Sequence, residues 1–171
     1  MTNQKHITLV IGVSGTGKST IAEALAARAG GQYLDADDFH PGENVKAMAA
    51  GVPLNDEMRA GWLEIVCEAM KAESNDQIFL ACSALKTKYR DVFRQHFPQV
   101  DFILLDADEQ VLSERMAARV DHYMPVSLLK SQIATLELPT VAEQDVLVLD
   151  GTLPIADILE RSVKHLERDV N

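Results

Sequence analysis

The sequence predicts an α/β protein in three layers, with a five-stranded parallel sheet flanked by helices. Two observations predict it. Five short apolar runs, Ile7–Gly12, Gln32–Asp35, Ile78–Cys82, Phe102–Leu105 and Val146–Asp150, end in polar or glycine residues. Most lack strict alternation, which is the pattern of strands buried on both faces. Stretches with helical spacing separate these runs, and regular strand–helix alternation implies parallel pairing. The chain has 171 residues, a length that suggests one domain, 1–171, able to bury roughly 70% of its unfolded surface. Ligands of such sheets bind beyond the carboxyl ends of the strands, so the polar residues after each run are the ones to read.

The first run leads into LVIGVSGTGKST, residues 9–20. From Gly12 through Gly17, Lys18 and Ser19 the spacing is G-x-x-x-x-G-K-[ST], a phosphate-binding loop between a strand and a helix. Gly12, Gly15 and Gly17 permit positive φ and close approach of backbone to ligand. The amides of Val13, Ser14, Gly15, Thr16, Gly17 and the helix start through Thr20 can then converge on one anion. Lys18 supplies a cation for β- and γ-phosphates and Ser19 a hydroxyl for Mg²⁺, so the expected nucleotide is ATP. The helix Lys18–Ala29 follows, with Ile21, Leu25 and the alanines on one side.

After the second run stands Asp35-Ala36-Asp37-Asp38-Phe39-His40-Pro41. Read as extended chain, it puts Asp35 and Asp37 on one face. Two carboxylates beside a triphosphate repel it unless one handles metal, so Asp35 is assigned to Mg²⁺ and Asp37 to the acceptor hydroxyl. The competing reading is a solvated acidic turn with Asp38 as a helix cap. The next helix, Asp56–Ala72, carries a stripe of Trp62, Ile65, Val66 and Ala69, and Asp56 is placed to cap it.

The third run is followed by Cys82-Ser83-Ala84-Leu85-Lys86 and the helix Thr87–His96. Lys86 and Arg90, four apart, share a helical face and suggest one wall of an acceptor pocket; the plainer reading is a solvated basic face. The fourth run precedes the helix Glu109–Arg119, whose Arg115 and Arg119 are again four apart. With the following VDHYMPVSLL they suggest a lid that closes over phosphates and excludes water. His122 in this stretch reads as structural. The last helix, Ile155–Leu166, has Ile155, Ile158, Leu159, Val163 and Leu166 at helical spacing.

The bulk composition narrows the partners. A net charge of −10 disfavours nucleic acid. No apolar run is long enough to span a bilayer, so no membrane partner is expected. The N-terminus lacks a signal-peptide pattern. Cys67 and Cys82 show no metal-type spacing and fit reduced core residues of a cytoplasmic protein. There is no H-E-x-x-H, and Ser83 lacks the flanking glycines of a nucleophile elbow.

These residues resemble a known family, the small P-loop gluconokinases, relatives of shikimate kinase. The resemblance covers nearly the whole chain. It rests on GVSGTGKS (12–19), LDADDFHP (34–41), NVKAMAAGVPLND (44–56), Arg59, Trp62-Leu63, CSALKTKYRD (82–91), RMAARVDHYM (115–124), SQIATLELP (131–139) and DVLVLDGT (145–152). Ala36, Gly61 and His122-Tyr123-Met124 depart from the usual pattern without removing a charged group. The resemblance implies a P-loop kinase fold with a lid at approximately 115–139, and a homodimer. It implies Mg²⁺- and ATP-dependent phosphorylation of D-gluconate at the 6-hydroxyl. A linear polyol carboxylate needs a cation and several hydroxyl partners. Arg59, Lys86 and Arg90 are the candidate cations, an arginine being able to grip a carboxylate bidentately, and His40 is the candidate for a hydroxyl. The alternatives are a kinase for another small hydroxy acid such as shikimate, or a non-catalytic ATP-binding regulatory protein. The C-S-A string after strand three stands where shikimate kinases carry G-G-G, and no N-K-x-D string suggests a GTPase.

Overall fold

The structure is a computed structural model and describes residues 4–119 and 127–168. Five strands, β1 (His6–Ile11), β2 (Gln32–Asp35), β3 (Gln77–Cys82), β4 (Gln99–Asp106) and β5 (Val146–Asp150), form one sheet in the order β2-β3-β1-β4-β5. Every pairing is parallel; Ile11 lies beside Cys82 on one side and Leu104 on the other. The strand tips therefore share one edge, with β1 at the centre. The helices are α1 (Lys18–Ala29), α2 (Gly42–Ala49), α3 (Asp56–Ala72), α4 (Thr87–His96), α5 (Glu109–Ala117), α6 (Leu128–Thr135) and α7 (Ile155–Glu167).

The lack of alternation in the strands has the expected cause. Ile7, Leu9 and Ile11 join Trp62, Leu63, Val66 and Met70 of α3 and Phe93 of α4 in one core. Val10 and Ile103, pointing the other way, meet Ile21 and Leu25 of α1 and Ile158 and Leu159 of α7. The interiors of β1, β3 and β4 bury both faces, while the edge strands β2 and β5 are only partly covered; helices on the two sides give the three layers.

Several local expectations are corrected. Residues 36–39 after β2 form a 3₁₀ turn rather than extended chain; the Asp35 side chain caps it by accepting from the Asp37 amide at 2.9 Å. Asp38 is not the cap. The cap of α3 is Asn55, which accepts from the Met58 amide at 2.8 Å, and Asp56 is one residue inside. α2 and α6 were not expected. The first follows Pro41, begins with Gly42 and buries only Asn44 and Met48, so it carries too little apolar periodicity to read. The stretch expected to form a lid, 115–139, includes 120–126, so His122, Tyr123 and Met124 lie outside the described residues.

Candidate active site

The glycine-rich loop joins the tip of β1 to the start of α1. Gly12, Gly15 and Gly17 have φ of 143°, 85° and 95°. At Gly12 a Cβ would sit 2.6 Å from the Leu105 carbonyl oxygen of β4, so both the φ and the space demand glycine. Thr16 Oγ1 donates to the Val13 carbonyl at 3.0 Å, and Lys18 Nζ turns back to the same carbonyl at 2.9 Å. The start of α1 has no side-chain cap, which leaves its dipole to face the loop. Burial pushes the Lys18 ammonium below its ordinary pKa, and the charges of Asp37 and Asp35 oppose that shift. Gln132 of α6 reaches the loop as well, its Oε1 accepting from the Ser14 amide at 2.7 Å.

The acidic residues stand next to this loop. Ser19 Oγ and the Tyr33 hydroxyl each donate to Asp35 Oδ2 at 3.3 Å. Burial pushes the Asp35 carboxyl up; the Asp37 amide counters this, and the Asp37 and Asp38 charges add to it. Asp37, inside the 3₁₀ turn, has Oδ1 3.5 Å from His40 Nε2. The His40 ring is stacked on Trp62, with centroids 4.0 Å apart and planes 17° from parallel. Trp62 is itself fixed by its indole N–H, which donates to the Ala36 carbonyl at 2.8 Å.

A cavity of about 280 Å³ is lined by Ser14, Gly15, Gly17, Lys18 and Ser19 of the loop, by Asp35, Asp37, Asp38 and His40, and by Arg59, Trp62, Ser83, Arg119 and Gln132. An adjoining cavity of about 360 Å³ shares Gly15, Gly17 and Arg119 with the first. It continues past Thr20 and Arg115 to Gly151, Leu153, Ile155 and Ile158. Arg115 braces this region, donating to the Gly15 carbonyl at 3.2 Å and to the Gly151 carbonyl at 3.1 Å.

Of the three candidate cations for an acceptor carboxylate, Arg59 alone is placed on the cavity. Lys86 is directed to Asp56, with Nζ 3.1 Å from Oδ1. The same carboxylate takes Lys88 and the Tyr89 hydroxyl. Arg90 is fully buried. It forms a two-pronged pair with Glu143 at 2.8 and 2.9 Å, and donates to the carbonyls of Ala84, Leu85 and Glu137 and to Thr87 Oγ1. Its donors are committed to the protein, which takes Arg90 out of the pocket wall, and Lys86 is placed against Asp56 rather than on the cavity. Nor does the start of α4 offer an open amide at Thr87, which donates to Glu137 Oε2 at 3.2 Å.

Sequence reasoning missed Tyr33, Asn44, Gln132 and the Gly151–Ile155 wall. Asn44, Gln132 and Gly151 stand in strings that carry the family resemblance but were given no role there, and they reach the site from elements other than the phosphate loop; Tyr33 lies on β2 two residues before Asp35. Trp62 was read as an apolar stripe, but its polar N–H also positions the turn that carries Asp37.

Comparison with known proteins identifies the family. Residues 7–139 match the family model described as an AAA domain. The thermosensitive gluconokinase of Escherichia coli K12 is 41% identical over 155 residues, 90% of this chain and 83% of that protein. A crystal structure of a sugar kinase from Janibacter has a TM-score of 0.88 at 43% identity, covering 95% of each chain. That of a gluconokinase from Sinorhizobium meliloti 1021 has a TM-score of 0.84 at 38% identity, covering 95% of this chain and 92% of the other. A match over nine-tenths or more of the chain extends well beyond a shared phosphate loop, and the chain belongs to the gluconokinase family.

Proposed function

We propose that this protein transfers the γ-phosphoryl group of ATP to the 6-hydroxyl of D-gluconate, giving 6-phospho-D-gluconate. The observation that carries the reading is the shared cavity, in which Lys18 and Ser19, Asp37 and Arg59 line one space. The loop amides from Gly15 to Thr20 and Lys18 hold the triphosphate. Asp37 accepts the hydrogen bond of the 6-hydroxyl and aligns its oxygen with the γ-phosphorus; in a loose transition state this alignment is its main work. Arg119, shared by both cavities, offsets charge on the transferring group, and Arg115 keeps the loop and the turn after β5 at fixed spacing. The second cavity, walled by Leu153, Ile155 and Ile158, takes the adenine. His40 and Trp62 face the polyol.

Ser19 and Asp35 are hard oxygen donors side by side, which suits Mg²⁺, a cation that takes few protein ligands and leaves the rest to phosphates and water. A cation there also favours the Asp35 charge that burial opposes. When bound, it supplies charge neutralisation across the β- and γ-phosphates. A cytoplasmic setting fits the two buried free thiols, Cys67 and Cys82, and the homodimer that the family resemblance implies belongs to the same reading.

The test is ADP release over a panel of gluconate, its epimers and shikimate at fixed Mg·ATP. Gluconate is the expected acceptor, and its product should be oxidised by 6-phosphogluconate dehydrogenase. Turnover of shikimate with none of gluconate would overturn the assignment. Arg59 separates the acceptor from the nucleotide. Truncating one partner of a desolvated charge pair costs about 2–5 kcal/mol, so Arg59→Leu should raise KM for gluconate at least about thirtyfold while KM for ATP stays at the wild-type level. An unchanged gluconate KM would take Arg59 out of the site.

A further inference from the structure

Asn44 is a buried polar residue with only part of its hydrogen-bonding capacity used. It lies on α2 at 1% exposure. Its Nδ2 is 3.4 Å from the Met58 carbonyl oxygen and 3.3 Å from His40 Nδ1, while its Oδ1 has no partner. An unmatched buried amide oxygen costs roughly 1–3 kcal/mol. A leucine at this position would avoid that cost, so the amide needs a reason to be there.

The reason follows from donor and acceptor roles. A carbonyl only accepts, so Met58 requires the nitrogen of the Asn44 amide to face it. The same nitrogen then faces His40 Nδ1 as a donor, which makes Nδ1 the acceptor. A neutral imidazole that accepts at Nδ1 carries its proton on Nε2. That nitrogen lies 3.5 Å from Asp37 Oδ1. In the opposite tautomer a lone pair would face the carboxylate. Stacking on Trp62 fixes the ring plane, leaving the tautomer as the remaining variable. Among the described residues, Asp37 from its own turn, Asn44 from α2 and Trp62 from α3 face the ring.

We propose that Asn44 is a positioning residue for phosphoryl transfer: it fixes His40 as the Nε2–H tautomer and, through that ring, steadies Asp37 by one carboxylate oxygen. The role rests on the assignment of Asp37 to the acceptor hydroxyl. Asn44 touches no substrate and acts only through His40.

The first readout needs no substrate. Long-range proton–nitrogen spectra of histidine-labelled protein, assigned by comparison with His40→Gln, report which ring nitrogen carries the proton. The wild type should show an unprotonated Nδ1 and a protonated Nε2. Asn44→Asp turns the donor into an acceptor of nearly the same shape and should place a proton on Nδ1. It should also lower kcat with gluconate by at least about tenfold, the usual range for an outer residue that orients a reacting one, with KM for ATP unchanged. In a His40→Ala background the same substitution should lower kcat no further, whereas a general packing defect would add its loss in both backgrounds. Should Asn44→Asp not fold, Asn44→Leu, which removes the donor without adding charge, should give a mixture of tautomers. A wild-type His40 protonated on Nδ1, or an Asn44→Asp loss that persists in full without the ring, would overturn the proposal. Wild-type enzyme inactive on gluconate would instead overturn the substrate assignment, and the nitrogen spectra would still decide the tautomer.

Discussion

Asp37→Asn should lower kcat for gluconate phosphorylation by about 10²–10⁴-fold, the usual worth of a positioned proton acceptor, and leave nucleotide affinity near that of the wild type. The substitution keeps the shape of the side chain. It leaves in place the backbone amide by which residue 37 donates to Asp35 at 2.9 Å, and the Ser19–Asp35 contact at 3.3 Å. What it removes is a charged acceptor beside the loop. A second consequence has a definite sign. The Asp37 charge is the largest of the influences that raise the Lys18 pKa against the lowering by burial. Without it the Lys18 pKa falls further, so the alkaline limb of the kcat profile should move to lower pH. Titration calorimetry with a non-hydrolysable ATP analogue and rate profiles against pH check both statements. An unaffected kcat would remove Asp37 from the chemistry, and an unmoved alkaline limb would remove Lys18 from its electrostatic reach.

What the sequence made legible has a physical explanation in each case. The loop was readable because its glycines encode backbone angles: a Cβ at Gly12 would collide with β4, and that constraint is local to the motif. The strands were readable because Ile7, Leu9 and Ile11 on one face and Val10 on the other are all apolar. The carboxylates were readable as a cluster, yet not in their geometry. Asp35 and Asp37 line one cavity because a 3₁₀ turn brings them together, and that turn depends on Trp62 donating to Ala36 across 26 residues of sequence. The cations were legible only as charges. Whether a basic side chain meets solvent, substrate or a buried acid depends on what the fold brings to it. Lys86 met Asp56 and Arg90 met Glu143, while Arg59 faced the cavity. The role of Asn44 is of the same kind, since His40, Asn44 and Met58 come from three segments.

Arg90→Leu separates these fates most sharply, because it should act on stability and leave gluconate binding alone. The guanidinium is fully buried and Glu143 is 7% exposed at its side chain. Hydrogen bonding from Arg90, reinforced by Arg94 and opposed by burial, pushes the Glu143 carboxyl down to about 2 from its ordinary 4.5. A carboxylate depressed in the folded state adds stability that is complete above its unfolded pKa and is lost as pH falls through the folded one. The window here runs from about pH 4.5 down to about pH 2, and a shift of that size corresponds to about 3 kcal/mol. Removing one partner of a buried pair typically costs about 3–5 kcal/mol. The lower end applies here, since Arg94 Nη2 still holds Glu143 Oε1 at 3.0 Å. Arg90 also holds the carbonyl of Ala84, whose φ of 37° is left-handed and costly for a residue with a Cβ. For a domain of this length such a loss lowers Tm by roughly 6–12 °C. Acid unfolding should begin at higher pH than in the wild type, because the depressed carboxylate loses its main partner. Differential scanning calorimetry and acid titration measure both effects, and the gluconate KM of the folded fraction should match the wild type, in contrast to Arg59→Leu. A normal Tm with a raised gluconate KM would return Arg90 to the acceptor site and detach Glu143 from the stability of the fold.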